Sequence, residues 1–289
     1  MKIKHFFMIL LARLVRDDES YLKLMYFLKT HRRLRLEPYE NMRFTEKLQW
    51  LKLFGYRPEF TKYVDKAGVK EFFKDIMIPT LGVYAKFDDI DFDNLPNQFV
   101  IKCTHDSGGL VICKDKKKLD LLQTKKKIVN CLNSNFFRIT REYPYKDVPR
   151  KILVEKYIED EPGKDLVDYK FFCFNGKAEY CQIIANRSTD ETIDFYDREW
   201  NHQEFIGLLS AAHHAPAAHH APENYDKMLE LADKLATEVS SPFVRIDLYN
   251  IKGKIYLGEI TFYPASGFGC FRPDEWDIKL GKMLHLPIN

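Results

Sequence analysis

The sequence predicts an α+β protein of two lobes preceded by a helical N-terminal region. Residues 1–60 read as helical, whereas two later segments, 168–186 and 243–262, read as antiparallel hairpins. Helices mixed with antiparallel strand pairs favour packed α+β lobes over one parallel sheet. We therefore divide the chain into a helical region 1–60, a first lobe 61–150 and a second lobe 151–289.

The composition is that of a folded protein with a modest positive charge. Of the 289 residues, 45% are hydrophobic and 14% are aromatic, which is enough for a proper core. The net charge of +3 suits an anionic ligand such as a nucleotide or an acidic sugar, but it is too small to indicate nucleic acid. No stretch reaches the ~18–20 apolar residues of a membrane span. None of the cysteines forms a C-x-x-C pair, which predicts reduced, structural thiols and a cytoplasmic protein.

The start of the chain allows two interpretations. Lys2 and Lys4 precede an apolar run from Phe6 to Ala12, and Arg13 follows directly without a small-residue cleavage site. The segment is either a helix packed on the body of the protein or a basic, apolar helix that contacts the inner surface of a membrane.

Local patterns predict the remaining elements. Asn175-Gly176 separates two strand-like runs and is the preferred pair for a type I′ turn. Apolar residues recur at helical spacing between 224 and 239. The predicted helices are 46–53, 119–132 and 224–239, and the predicted strands are 99–102, 110–113, 152–158, 171–174, 178–184, 243–249 and 255–262.

A short repeat interrupts the second lobe. Residues Ala211–Pro222 read AAHHAP twice, so four histidines lie within twelve residues. Such a segment is either a flexible surface loop or a metal-binding tract. Because the histidines are adjacent pairs with no predicted framework to set ligand geometry, we expect a surface loop.

The last hairpin carries two carboxylates that can face each other. If Ile251 pairs with Ile255 across a three-residue loop, Asp247 lies directly opposite Glu259. Like charges at opposed positions are destabilising, and a divalent cation with oxygen ligands would remove that penalty. A two-residue loop would instead put the carboxylates on opposite faces.

Three further segments have residues suited to binding a nucleotide. Lys102 precedes a small-residue loop, Thr104–Gly109, through which backbone N–H groups could approach a phosphate. The segment Glu155–Ile158 ends a strand with an acidic and an aromatic residue, as an adenine site can. Lys170 leads into the first hairpin and could reach a phosphate. Each segment alone also fits an ordinary turn, strand edge or solvated charge.

Taken in order along the chain, these motifs resemble the ATP-grasp superfamily, and in detail its TupA-like branch, which is linked to teichuronopeptide and other surface-polysaccharide synthesis. The similarity runs from about Ser20 to the end and leaves out the Ala/His/Pro repeat. The matching segments are Phe44–Lys52, Asp65-Lys66, Lys102, Ser107–Gly109, Glu155–Ile158, Asp168–Phe171, Phe174–Lys177, Arg245–Asp247, Gly258–Pro264 and Ser266–Phe268. The resemblance implies an ATP-grasp fold, in which two α+β lobes sandwich ATP.

The resemblance also implies which residues bind the nucleotide. The lysines at the ATP phosphates would be Lys66, Lys102 and Lys170, and the mobile loop over them would contain Ser107, Gly108 and Gly109. Adenine would be held by Glu155 and by the backbone of Lys156, Tyr157 and Ile158, with Asp160 or Glu161 near the ribose.

The metal and the catalytic groups are implied in the same way. Asp247 and Glu259 would ligate Mg²⁺, and Arg245 together with Lys170 would act in catalysis, with Arg245 stabilising an acyl phosphate. The superfamily usually ends its metal motif with Glu-x-Asn, whereas this chain has Thr261 at the third position, which leaves open whether one or two metals bind.

The expected activity is ATP- and Mg²⁺-dependent joining of a carboxylate to an amine, with a uronic acid of a glycan or nucleotide-sugar and an amino acid or other amine as partners. Two alternatives stay open: a kinase for a sugar hydroxyl on the same fold, and a glycan-binding protein without catalysis.

Overall fold

Helices and three antiparallel sheets, of four, six and two strands, make up the described part of the chain; the two-stranded sheet pairs Ile206–Gly207 with Phe271–Arg272. The computed structural model describes residues 8, 10–106, 108–208 and 213–288; most of the predicted N-terminal helix and Ser107 lie outside them. The longer helices are α1 (Asp18–Thr30), α2 (Phe44–Phe54), α3 (Thr61–Val64), α4 (Val69–Phe72), α5 (Leu121–Leu132), α6 (Phe136–Thr140), α7 (Tyr225–Val239) and α8 (Glu275–Met283). The strands are β1 (Thr80–Tyr84), β2 (Phe99–Cys103), β3 (Leu110–Cys113), β4 (Ile152–Lys156), β5 (Asp168–Phe174), β6 (Lys177–Ala185), β7 (Thr192–Asp197), β8 (His202–Gln203), β9 (Ile206–Gly207), β10 (Phe243–Ile251), β11 (Lys254–Thr261) and β12 (Phe271–Arg272).

The first sheet has four strands in the order β1-β4-β2-β3. Its apolar face is covered by α5, because Ile128 and Cys131 of that helix pack with Phe99 and Ile101 in one buried cluster. Strand β4 pairs with both β1 and β2. Residues 152–156 therefore belong to the first lobe, and the boundary expected at 150/151 must be moved beyond β4.

The second sheet has six strands in the order β11-β10-β5-β6-β7-β8 and is covered on both faces. On one face, Tyr225 of α7 stacks on Phe171, with 6.2 Å between ring centroids. On the other face, Phe44 of α2 contacts Phe243 edge-on at 4.8 Å. Helix α2 is thus packed into the core of the second lobe, and its residues from Phe44 to Lys52 are all buried.

The two predicted hairpins are both present. Asn175 and Gly176 have φ angles of 51° and 86°, as a type I′ turn requires, which confirms that prediction. The last hairpin turns at Lys252-Gly253, since Ile251 pairs with Lys254. Of the two loops that the sequence allows, the two-residue loop is therefore the one present.

A β-bulge restores the register that the short loop would have lost. Leu248 pairs with Leu257, but Asp247 pairs with Glu259, so Gly258 is the extra residue. Because the bulge shifts the register by one position, Asp247 and Glu259 are opposed as expected.

All six cysteines are free, and only Cys270 among them is exposed. Among the described residues, no helix combines the length and the apolar character that crossing a membrane requires.

Candidate active site

A mostly apolar cavity of about 340 Å³ lies between the two sheets. The first lobe contributes Val100, Ile112 and the segment Glu155–Ile158, and the second contributes Asp168 and Tyr249. Apolar walls with a few convergent polar groups are typical of small-molecule sites. The shape and lining suit a flat aromatic ring.

A second, charged cavity of about 190 Å³ adjoins the first. Lys102, Leu110, Asp168, Arg187 and Tyr249 line both cavities, so the two form one continuous site. The charged part brings together five predicted site residues that are far apart in sequence: Lys66, Lys102, Lys170, Asp247 and Glu259.

Asp247 is the centre of the charged part. Its carboxylate accepts hydrogen bonds from Arg245, at 2.6 Å from Nε and 2.7 Å from one terminal nitrogen, and is ion-paired with Lys170. Burial disfavours the charged form, but Arg245 and Lys170 outweigh burial and hold the pKa of Asp247 below its ordinary value. Asp247 is therefore ionised at neutral pH.

Glu259 lies beside this network on the neighbouring strand. Its carboxylate is 3.7 Å from Lys66 Nζ and remains partly open to the cavity. Thr261, two residues further on, accepts a hydrogen bond of 3.2 Å from Arg245. The residue at the third position of the metal motif thus helps to orient Arg245.

Glu155 has different neighbours from those expected of an adenine-binding acid. Its buried carboxylate is 2.5 Å from Lys70 Nζ and 2.6 Å from Lys102 Nζ. Burial disfavours its ionisation, but Lys102 and Lys70 outweigh burial and lower the pKa of Glu155. The acid links the apolar cavity to the charged one by positioning Lys102 between them.

Only some of the backbone N–H groups after Glu155 are available to bind a ligand. The amide of Lys156 donates to Pro79 O at 2.9 Å, so that N–H is not available to a ligand. Within the described chain, the amides of Tyr157 and Ile158 donate no backbone hydrogen bond, and both residues line the apolar cavity.

The glycine-bearing loop is held by Asp106. Its side chain accepts a 3.0 Å hydrogen bond from the Gly109 amide, and its carbonyl accepts one from Lys66 Nζ. Gly108 is exposed, whereas a Cβ at Gly109 would lie 2.3 Å from Cys131 Sγ, so that glycine allows close packing under the loop. Ser107, assigned to the same loop, is outside the described residues.

The two acids expected near the ribose do not line either cavity, although the partner of Glu161, Lys164, lines the apolar one. Glu161 is exposed and ion-paired with Lys164 at 2.5 Å. Asp160 accepts a 2.8 Å hydrogen bond from the Lys252 amide and so braces the turn of the last hairpin. Neither residue lines the site in this conformation.

The sequence analysis did not include two charged residues of the site, Lys70 and Arg187. Lys70 contacts Glu155, and Arg187 lies 2.9 Å from Asp168, which is itself 3.1 Å from Lys170 Nζ. The position of Arg187 near Asp168 was predictable, because Asp168 pairs with Ile184 and Arg187 follows the end of the strand that contains Ile184. No sequence pattern links Lys70 to Glu155, because helix α4, which carries Lys70, approaches strand β4 only in the folded protein.

Two α+β lobes with a continuous site between them, lined by both cationic and acidic side chains, are the ATP-grasp arrangement. The chain belongs to the TupA-like ATP-grasp family, whose family model matches residues 46–285. No curated protein sequence matches the chain significantly.

Solved structures of ligases and a carboxylase are similar to this chain at low identity. D-alanine–D-alanine ligase from Bacillus anthracis in complex with ATP is 18% identical, with a TM-score of 0.39 over 70% of this chain and 54% of the ligase. L-amino acid ligase from Bacillus licheniformis is 13% identical, with a TM-score of 0.48 over 87% and 56%. The biotin carboxylase domain of Hydrogenobacter thermophilus 2-oxoglutarate carboxylase is 17% identical, with a TM-score of 0.41 over 79% and 47%. The chain spans about half the length of these structures.

Proposed function

We propose that this protein is an ATP- and Mg²⁺-dependent carboxylate–amine ligase that forms an amide by way of an acyl phosphate. The observation that carries the proposal is the convergence of Lys66, Lys102, Lys170, Asp247 and Glu259 on one small cavity beside an apolar slot. Cations and acidic ligands in that arrangement fit a nucleotide triphosphate and its metal.

The residues present fit a magnesium ion. Asp247 and Glu259 offer carboxylate oxygens at opposed positions of a rigid hairpin, and Mg²⁺ prefers oxygen ligands. When bound, the ion neutralises charge on the phosphates. ATP lies with its adenine against Tyr157 and Ile158 and its phosphates toward the lysines.

The chain's own residues then favour phosphoryl transfer through charge and position. A substrate carboxylate attacks the γ-phosphate, which gives an acyl phosphate and ADP; an amine then displaces phosphate. Asp247 fixes both Arg245 and Lys170; Lys170 lines the charged cavity, and Arg245 lies directly behind Asp247. Asp106 and Gly109 line the charged cavity, and by excluding water there they would limit hydrolysis of the acyl phosphate.

The carboxylate is a uronic acid of a surface glycan or its nucleotide-sugar precursor, and the amine is an amino acid or similar compound. This choice rests on family membership. The use of ATP places the reaction in the cytoplasm. Leu10 and Leu14 are exposed beside Arg13, which suits contact with the inner membrane surface when the acceptor is lipid-linked.

Product analysis tests the proposal. Purified protein is incubated with Mg²⁺-ATP and a panel of hexuronic acids, free and as UDP-sugars, against the twenty amino acids, and both ADP and inorganic phosphate are measured. A ligase releases the two in equal amounts and only when acid and amine are both present. Asp247→Asn and Glu259→Gln should each lower the rate by roughly 100-fold, whereas Glu161→Gln, outside the cavities, should not.

Other outcomes would contradict the proposal in distinct ways. ADP without inorganic phosphate, independent of amine, would indicate a sugar kinase. Absence of ADP release together with absence of ATP binding would leave a glycan-binding role.

A further inference from the structure

A histidine cluster surrounds Asp194 on the second sheet, away from the nucleotide site. Asp194 lies on β7, His202 lies on β8, and His214 and His219 come from the Ala/His/Pro repeat. The repeat follows the edge of β7, since the Ile193 amide donates to His213 O at 2.9 Å. The sequence alone had favoured an unattached surface loop for this segment.

Three ring nitrogens converge on one buried carboxylate. His202 Nε2 and His214 Nδ1 lie 2.9 Å and 2.8 Å from the same oxygen, Asp194 Oδ1. His219 Nε2 lies 3.4 Å from the other oxygen, Oδ2. That nitrogen is buried and has no hydrogen-bond partner among the described residues, so the protein leaves one of the converging groups unsatisfied.

The spacing and chemistry of these atoms suit a transition metal. The ligand atoms of Asp194, His202 and His214 all lie within 4.8 Å of one another. In a tetrahedral zinc site with bonds of about 2.0–2.2 Å, ligand atoms are separated by roughly 3.3–3.6 Å. His202 and His214 lie 2.9 and 2.8 Å from Asp194 Oδ1 and must each move away by roughly half an ångström to reach that range. His219 is not in this three-residue set; it approaches the other oxygen, Oδ2, at 3.4 Å and would complete the site by a small movement of the repeat. Imidazole with carboxylate selects Zn²⁺ and its neighbours over Mg²⁺.

This cluster is separate from the nucleotide site. Asp194 pairs with Ile183, and Ile183 pairs with Tyr169, the neighbour of Lys170 along β5. Because successive side chains on a strand point to opposite faces, Asp194 and Lys170 lie on opposite faces of the sheet. A metal at Asp194 therefore cannot be the magnesium that serves ATP.

We propose that Asp194, His202, His214 and His219 form a binding site for one divalent transition-metal ion, Zn²⁺ by its ligand chemistry, that fastens the Ala/His/Pro repeat to the second sheet. The site uses one histidine of each adjacent pair. The other two, His213 and His220, are exposed and serve as matched controls. This proposal does not depend on the proposed function.

The test uses the full chain without a polyhistidine tag, stripped with a chelator and titrated with Zn²⁺. Isothermal titration and elemental analysis should give one ion per chain. Loss of a residue that only hydrogen-bonds to a metal ligand weakens metal binding by about 10–100-fold. Because H214A/H219A removes proposed ligands themselves, it should bind Zn²⁺ at least about 100-fold more weakly than wild type does. H213A/H220A should bind it as wild type does. Co²⁺ gives a second readout, as tetrahedral coordination produces strong visible absorption.

The result that overturns the proposal is equal Zn²⁺ binding by the two double variants, or no binding by wild type at micromolar Zn²⁺. Circular dichroism checks that each variant is folded. Should H214A/H219A fail to fold, H202A replaces it, since that side chain is one-third exposed and its loss removes a ligand without opening the core. Mg²⁺-ATP binding should be the same with and without Zn²⁺, which separates this result from any failure of the ligase proposal.

Discussion

Individual charged residues in the site are held by specific partners. Lys70 and Lys102 both contact the carboxylate of Glu155, which is buried between them. In the same way, the carboxylate of Asp247 is ion-paired with both Arg245 and Lys170. In each case one acid fixes two cations in a place where water is largely excluded, so removing the acid leaves like charges facing each other.

Glu155→Gln tests this pairing. We expect a loss of roughly 2–3 kcal/mol in the free energy of unfolding at pH 7, at the low end for a buried ion pair because Lys102 is one-fifth exposed. Urea denaturation gives the value. The matched control, Glu161→Gln, changes an exposed acid and should stay within about 0.5 kcal/mol; an equal loss in both variants would contradict the role given to Glu155.

The same residue should also govern part of the acid sensitivity. Because Lys102 and Lys70 lower the pKa of Glu155 in the folded protein, its stabilising contribution is complete above its ordinary pKa of about 4.5. It is lost as the pH falls from there through the lower folded-state value. Wild type should therefore lose more stability than Glu155→Gln between pH 5 and pH 3, measured by urea denaturation. Parallel curves for the two proteins would contradict this.

At the scale of elements, the register of the last hairpin determines whether Asp247 and Glu259, the two candidate metal ligands, lie opposite each other. The tight turn at Lys252-Gly253 alone would separate Asp247 and Glu259, and the bulge at Gly258 brings them back into register. A Cβ at Gly258 would lie 2.7 Å from Tyr249 Cε2 and 3.3 Å from Asp247 O. The bulge therefore needs a residue without a side chain.

Gly258→Val should destabilise the protein by about 1–3 kcal/mol, because the new side chain overpacks against Tyr249. Gly253→Asn is the control in the same hairpin. Its φ is +81° with open space around it, and asparagine tolerates that backbone region. Urea denaturation of both variants should show the loss only at position 258; a larger loss at 253 would mean that the turn, not the bulge, limits the hairpin.

At the scale of the whole molecule, the site exists only where the lobes meet. Lys66 shows this directly: its ammonium donates to Asp106 O in the loop of the first lobe and lies 3.7 Å from Glu259 in the second. A ligand between the sheets contacts both lobes at once. Its binding should therefore stabilise the folded chain as a unit.

Mg²⁺-ATP at 100 times its dissociation constant should stabilise the protein by about 2.7 kcal/mol, which for a chain of this size is a rise of roughly 5 °C in the unfolding midpoint. Differential scanning fluorimetry measures it. Asp247→Asn and Glu259→Gln should each remove the part of the rise that depends on magnesium, and Glu161→Gln should keep it. No rise in wild type at millimolar ATP would count against an ATP site.

The sequence by itself determined the family, whether each predicted element is a helix or a strand, and which charged residues could belong to the site. These follow from local patterns: alternation in β10, helical spacing in α7 and the turn pair Asn175-Gly176 are each written within a few neighbouring residues. Strand β7, with its run Thr192–Asp197, was missed because its paired partner and its covering helix, rather than its own residues, make it a strand.

Only the tertiary structure decided which charges meet. The partners of Glu155, the bulge at Gly258 and the convergence of His202 and His214 on Asp194 all depend on chain segments that approach through long-range packing. Such contacts are set by register and by the burial of whole elements, and a shift of one residue moves a side chain to the other face of a sheet. For that reason the sequence could name the charged residues of the nucleotide site, while the geometry that makes them a site, and the histidine cluster behind it, came from the fold.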